Sequence, residues 1–231
     1  MVFNMVNDMI LSEIGLEQEL WLLDKDGNIL EAPVYNFPAD EMGFLIEFPG
    51  MWGSNPFTVA QSIGDTTAFL MDKAWSLGFN VEMVPWKPVT AEWQDYIAKK
   101  YNHASMVDHT KNIHGHKDTQ HTGFRSGRAT AGCHVHFSRW DTDKSAYVQF
   151  TDDDVNYIVK WMDFWFRDDI EKADRIEGEW EPKGLNPDDD TKKPHGFEYR
   201  SLPCTVNKYG ASYMALKLLE NLGRNPQSNN P

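Results

Sequence analysis

The sequence predicts an α+β fold built on a mainly antiparallel sheet. Segments that alternate apolar and polar residues interleave with segments of helical spacing. The first alternating segment ends at an Asp-Gly turn over residues 24–28, which is typical of a hairpin and therefore of antiparallel pairing. The 9 Trp and 13 Phe residues are enough for a substantial core. Since no repeat or linker interrupts the pattern, we expect one domain over residues 1–223 and a flexible tail over residues 224–231.

The first half of the chain combines three alternating segments with two segments of helical spacing. The long helix is expected to stop at Gly78, because glycine readily adopts the left-handed conformation that ends helices. The predicted elements are a strand over residues 12–24, a strand over 43–50, a helix over 56–79, a strand over 80–85 and a short helix over 92–101.

The second half alternates in the same way. The predicted elements are a strand over residues 132–138, a helix from a capping box at Thr151 through Ile170, a strand over 196–203 and a helix over 210–223. We predict loops over residues 109–128 and 177–195, because neither shows a period. The second loop carries Glu177, Glu179 and Glu181, and it is either a plain charged loop or a flap whose carboxylates attract an amine.

Four predicted strands carry ionisable side chains on one face and mostly apolar side chains on the other. These side chains are Glu17 and Glu19, then Glu47, then His134, His136 and Ser138, and finally Glu198 and Arg200. If the strands are neighbours, carboxylates about 4 Å apart repel by roughly 4 kcal/mol at an effective dielectric near 20, and cations are needed between them. Carboxylates with imidazole suit Mg²⁺ or Mn²⁺. For any one strand, the alternative is the ordinary solvated face of an antiparallel sheet.

Composition excludes several classes of protein. The net charge of −13 disfavours general nucleic-acid binding. Cys133 and Cys204 are the only cysteines, which rules out a disulfide framework and fits a reducing compartment. No apolar run approaches the roughly 18 residues of a membrane span, and no basic residue precedes Lys25, as a signal peptide would require. The sequence therefore predicts a cytoplasmic protein that does not act on membranes.

Three motifs carry a family resemblance. The segment GLEQEL (15–20) resembles the E-x-E strand of the glutamine synthetase and glutamate–cysteine ligase superfamily, GCHVHFS (132–138) resembles its H-x-H strand, and FEYRSLP (197–203) is similar to its E-x-R strand. The order along the chain agrees, and the short chain most resembles the type 2 carboxylate–amine ligases, or amidoligases, of phages. The resemblance covers residues 12–203. It implies a curved, mainly antiparallel sheet of the glutamine synthetase type, with the active site on its polar face, helices on the other face, and a host-cytoplasmic location if a phage encodes the chain.

The resemblance also implies a role for each matched residue. The implied metal ligands are Glu17, Glu19, Glu47, His134 and Glu198, and the implied nucleotide-binding residues are His136, Ser138 and Arg200, of which His136 and Arg200 are the expected catalytic residues. A local basic segment over residues 99–128 precedes the histidine strand. Its Arg125 and Arg128 are candidates for phosphate or substrate-carboxylate contact, with an ordinary solvated loop as the alternative.

The function implied by the resemblance is an ATP-dependent carboxylate–amine ligase that forms an acyl phosphate and uses two or more Mg²⁺ or Mn²⁺ ions. A metal-dependent hydrolase and a non-catalytic nucleotide- or metal-binding module are the alternatives. No Walker-type motif is present, so a P-loop NTPase is not supported. The expected partners are small-molecule or peptide carboxylates and amines, and the sequence leaves open whether the chain forms oligomers.

Overall fold

A computed structural model of the chain describes residues 10–40, 42–101, 110–115, 124–125, 127–183 and 196–224. In these ranges, strands interleave with four α-helices, so the fold is α+β as predicted. No helix within the same ranges has both the length and the apolar character that crossing a membrane requires.

Most strands belong to one sheet, in which all the strand pairings are antiparallel. The strands in chain order are β1 (Ile10–Leu23), β2 (Leu45–Pro49), β3 (Asn80–Glu82), β4 (Trp86–Pro88), β5 (Lys111–Asn112), β6 (Phe124–Arg125), β7 (Arg128–Thr130), β8 (Cys133–Asp141), β9 (Ala146–Tyr147), β10 (Glu179–Lys183) and β11 (Gly196–Tyr199). The sheet runs in the order β2-β1-β8-β11-β10-β5, with β3 also paired to β1 and β9 to β8. The glutamate strand β1 and the histidine strand β8 are therefore direct neighbours.

Helices cover one face of this sheet. The helices in chain order are α1 (Pro56–Ser76), α2 (Ala91–Lys100), α3 (Asp152–Lys172) and α4 (Lys208–Arg224). Buried side chains of α1, α3 and α4 form the main core together with apolar residues of the sheet such as Leu16 and Val135. Local sequence defines the helix starts, because Asn55 caps α1 and Thr151 forms a capping box with Asp154 at α3.

The face of β1 that points away from the main core is polar in its middle part and apolar towards the end of the strand. Glu17 and Glu19 lie on this face, whereas Trp21 and Leu23, which continue it by two-residue alternation, belong to a second core. Ile97 of α2 packs into this second core, which also includes residues next to the small sheet β4-β7-β6. The polar part of the face is thus closed at one end by apolar packing.

The Asp-Gly turn lies at residues 24–28, as predicted. Gly27 has a φ of 84°, a left-handed conformation that glycine adopts without steric cost, and the side chain of Asp24 accepts backbone N–H groups within the turn. Only one bridge, between Leu23 and Ile29, follows the turn. The sheet neighbours of β1 therefore come from distant parts of the sequence.

Both predicted loops contain strands, which corrects the interpretation from sequence. Residues 179–183 form β10, with Trp180 in the main core, and this strand pairs with β11. Residues 109–128 include β5, β6 and the first residue of β7, strands too short for a period to be visible. The last helix begins at Lys208, two residues before the predicted start. The predicted tail over residues 224–231 lies almost wholly outside the described residues.

Candidate metal centre

Strand register brings the predicted ionisable residues together on one face. Directly opposed residues on antiparallel strands have Cβ atoms about 4.5–5.5 Å apart and point to the same side of the sheet. The opposed pairs are Glu19 with Glu47, Glu17 with His134, and Glu198 with both His136 and Glu181. The cluster therefore spans the adjacent strands β2, β1, β8, β11 and β10.

The acids and imidazoles of this cluster are in contact and largely shielded from solvent. His136 Nε2 lies 3.1 Å from Glu17 Oε2, and His134 Nδ1 lies 2.8 Å from Glu198 Oε1. His134 Nε2 lies 3.6 Å from Glu19 Oε1. The exposed fraction is 0% for Glu198, 2% for His134 and 6% for Glu17. A solvated sheet face would not bury these groups, so that alternative does not describe this part of the sheet.

Two groups of potential metal ligands share Glu17. One consists of Glu17, Glu47 and His134, and the other of Glu17, His136 and Glu198; in each, one ligand atom per residue lies within 4.8 Å of the others. The buried His134 Nδ1 lies 2.8 Å from Glu198 Oε1 and 3.8 Å from Glu17 Oε2, so an imidazole nitrogen and two carboxylates meet at the centre of the cluster. Carboxylate oxygens with imidazole nitrogen are a donor set that suits Mg²⁺ or Mn²⁺.

Two acids near β2 are disfavoured in their ionised form. Burial raises the pKa of Glu47 well above its ordinary value, and the neighbouring charges of Glu17 and Glu19 raise it further. Burial, with a contribution from Glu19, likewise raises the pKa of Asp40 to about 8. Both shifts favour the neutral carboxyl when no cation is present, and a bound cation would favour the carboxylate instead.

Glu17 and Glu198, at the centre of the cluster, favour their ionised form. Burial alone would raise the pKa of Glu17, but contacts with His134 and His136 outweigh it and hold the pKa well below its ordinary value. Burial also opposes ionisation of Glu198, yet the charge of Arg200 and the two histidines hold its pKa well below the ordinary range. Glu17 and Glu198 are therefore carboxylates at neutral pH and are available as anionic ligands.

A close backbone approach at Gly132 positions Glu19. The Gly132 N–H donates to Glu19 Oε2, and a Cβ at Gly132 would lie 2.8 Å from Arg175 Nη2 and 3.1 Å from His134 Nε2. Any larger residue would displace one of these side chains. Arg175, buried at the end of α3, is fixed by donating to the carbonyl oxygens of Arg200 and Ser201.

Cations line the side of the cluster formed by β10 and β11. Arg200 Nη1 donates to Glu198 Oε1 at 2.7 Å and to Glu181 Oε2 at 3.0 Å. Lys183 Nζ lies 2.7 Å from Glu198 Oε2 and 2.9 Å from Glu181 Oε2. Burial lowers the pKa of Lys183, but the charges of Glu198 and Glu181 more than reverse this effect, so the side chain is an ammonium.

Not every predicted residue joins the cluster. Arg128 donates to Asp174 Oδ2 at 3.0 Å and lies over the Trp86 ring at 4.1 Å, in a partly exposed position. The side chain of Arg125 lies outside the described residues. Ser138 is buried on the polar face, two residues beyond His136 on β8, and is opposed to Gly196.

Lys183, Asp40 and Arg175 belong to the site or its surroundings but were not predicted as site residues, and Glu181 was considered only as a carboxylate of a charged loop or flap. The segment EWEPK does contain a readable signal, because Glu181 and Lys183 alternate with the apolar Trp180. Asp40 lies before β2 in an irregular segment, where alternation gives no information, and Arg175 follows a helix. Their positions depend on tertiary packing that the local sequence does not encode.

Comparisons with known proteins give no further assignment. No family model matches the chain, and no curated protein matches it.

Proposed function

We propose that this chain is an ATP-dependent carboxylate–amine ligase that forms an amide bond through an acyl phosphate. The observation that carries the proposal is the cluster on the polar sheet face, where two groups of potential metal ligands share Glu17 and where Arg200 contacts Glu198. Phosphoryl transfer depends on positioning and charge neutralisation more than on covalent help from the protein. Buried acids and imidazoles together with the partly buried guanidinium of Arg200 are suited to both tasks.

The charge of the cluster fits two divalent cations. Its carboxylates outnumber the cationic side chains Arg200 and Lys183, and the charges of Glu17 and Glu19 add to burial in raising the pKa of Glu47. The residues that would hold the cations are Glu17, Glu19, Glu47, His134 and Glu198. When bound, Mg²⁺ or Mn²⁺ neutralises phosphate oxygens and orients the acid substrate.

The cationic side of the cluster is suited to phosphate. The guanidinium of Arg200 is oriented by Glu198 and Glu181, and both contacts use Nη1. A fixed guanidinium donates to phosphoryl oxygens in a planar fork, which an ammonium cannot do. Lys183 adds a second positive charge next to it. Hydrolysis of a neutral bond by a metal-bound hydroxide does not require such a pair of cations, which favours the ligase over the hydrolase.

The proposed reaction has two steps. A substrate carboxylate oxygen attacks the γ-phosphorus of ATP and ADP departs; the amine nitrogen then attacks the acyl carbon, phosphate departs and the nitrogen loses a proton. In this scheme, Arg200 and His136 bind phosphate oxygens during the transfer. Glu198 and His134 themselves are shielded from solvent, which strengthens their electrostatic interactions with bound groups.

The test is a screen for ADP release with Mg²⁺ or Mn²⁺ across pairs of acids and amines, including amino acids, peptides and polyamines. We expect at least one pair in which ADP release requires both partners. Glu19→Gln should abolish this release, whereas Glu171→Gln, which changes an exposed acid on α3, should leave it unchanged. Metal-dependent hydrolysis without ATP would instead support the hydrolase, and ATP turnover no higher than in Glu19→Gln for every pair would contradict the ligase.

A further inference from the structure

An indole ring lies flat on the polar sheet face beside the candidate metal centre. A Cβ built at Gly15 of β1 would meet three ring atoms of Trp52, at 2.8, 3.0 and 3.1 Å. Two of these atoms are the carbons shared by the two indole rings, and nearly equal distances to both require that the face of the ring covers Gly15. Glycine is needed here because any side chain would displace the indole.

The chain after β2 is folded to hold this ring in place. Gly50 N–H donates to Leu16 O at 2.7 Å, and Gly53 forms two backbone hydrogen bonds with Ile14 at 3.0 Å each. Pairing with β1 is thus interrupted between Gly50 and Gly53, and Trp52 lies in the interruption. A residue held between two fixed points has little conformational freedom, so the ring is positioned before any ligand binds.

The ring lies at the His136 end of the cluster. Gly15 is directly opposed to His136 in the sheet, and the Trp52 and His136 rings meet edge to face with centroids 5.5 Å apart. Glu19 and Glu47 lie at the other end of the polar face, next to the second core. His136 is the histidine assigned to a nucleotide phosphate in the proposed reaction, so the indole adjoins the proposed phosphate position.

One face of the indole covers the sheet, and the opposite face therefore points away from it, above the polar surface. Trp52 is only half-buried, so part of the ring is accessible to a ligand. A flat aromatic surface next to a phosphate site matches the two chemically different parts of a nucleotide, because bases stack on aromatic side chains whereas phosphates need charge. The sheet thus offers adjoining surfaces for both parts.

We propose that the purine base of ATP stacks on Trp52, and that position 15 is a glycine because only glycine leaves room for the indole ring. This inference rests on the proposed function, since it assigns a base-binding residue to the nucleotide site. It predicts that Trp52 contributes to affinity for the base and not to affinity for the triphosphate.

The test compares two ligands that differ only in the nucleoside: ATP and inorganic tripolyphosphate, each titrated with Mg²⁺ into the purified chain. Loss of base stacking corresponds to about 1–3 kcal/mol, or roughly 5- to 150-fold in affinity. Trp52→Ala should therefore weaken ATP binding by at least roughly fivefold and leave tripolyphosphate affinity within about twofold. Trp52→Phe keeps a smaller ring and should lose less, and Gly15→Ala should mimic Trp52→Ala because its Cβ displaces the ring.

Mn²⁺ binding by each variant serves as the control for an intact carboxylate site. If Trp52→Ala no longer binds Mn²⁺, the affinities of Trp52→Phe for ATP and for tripolyphosphate are compared in its place. An equal loss of ATP and tripolyphosphate affinity would contradict stacking of the base on Trp52. Unchanged ATP affinity together with a raised KM for the acid or the amine would also contradict it, and would assign Trp52 to the other substrate. Failure of the unmodified chain to bind either phosphate ligand would contradict the proposed function itself.

Discussion

Replacing Glu47 by Gln should make the metal-free protein more stable while weakening its response to metal. Ligand atoms of Glu17 and Glu47 lie within 4.8 Å of each other, and two unit charges at that separation repel by about 3 kcal/mol at an effective dielectric near 20. Burial and this repulsion raise the pKa of Glu47. A carboxyl whose pKa is higher in the folded state than in the unfolded state loses stabilisation as pH rises through the folded-state value. Gln avoids this loss.

The expected gain from Glu47→Gln is about 1–3 kcal/mol at pH 8 in the presence of a chelator, allowing for relaxation and residual solvent. For a chain of this size, each kcal/mol corresponds to about 2–4 °C in Tm. The gain should be smaller at pH 5 than at pH 8, because the penalty for ionising Glu47 in the folded state grows as the pH rises above the ordinary glutamate value. The measurement is thermal unfolding at both pH values, with the exposed Glu171→Gln as the matched control.

Saturating Mg²⁺ should reduce the stability advantage of Glu47→Gln over wild type. A ligand at about 100 times its Kd stabilises the folded state by about 2.7 kcal/mol, and Glu47→Gln removes one anionic donor from that site. The wild-type protein should therefore gain more from Mg²⁺ than the variant does. The reasoning is refuted if Glu47→Gln is less stable than wild type at pH 8 without metal, or if both proteins respond equally to Mg²⁺.

Three further variants separate the site from the scaffold. Asp40→Asn should stabilise the metal-free protein by an amount that grows between about pH 4 and pH 8, because the pKa of Asp40 is raised from 3.8 to about 8. A difference in stability between variant and wild type that is the same at pH 4 and pH 8 would exclude this. Gly132→Ala should lower Mn²⁺ affinity by about 10- to 100-fold in an equilibrium titration, because its Cβ would crowd Arg175 and His134, and unchanged affinity would contradict the tight packing. Thr151→Ala removes the cap of α3 and should lower stability by about 1 kcal/mol in denaturant unfolding, with Mn²⁺ affinity unaffected.

The polar face could be predicted because it depends on the two-residue period of strands. Alternation alone placed Glu17 with Glu19 and His134 with His136, and opposed register then brings these pairs into contact. The register itself is not encoded locally, which is why contacts such as that between His136 and Glu17 had to be observed.

The unpredicted parts of the site depend on the path of the chain between elements. Trp52 reaches the polar face through a two-residue interruption of strand pairing, and Arg175 reaches it from the end of a helix. Neither position has a periodic pattern. Arg128 contacts Asp174 and Trp86, and these contacts were likewise not readable from the local sequence.

Anomalous scattering from crystals grown with Mn²⁺ tests the central claim most directly, since it locates the ions without assuming any activity. We expect two peaks on the polar sheet face, one next to Glu17, Glu47 and His134 and the other next to Glu17 and Glu198. The absence of manganese from this face at saturating Mn²⁺, or its binding only elsewhere on the chain, would contradict the account.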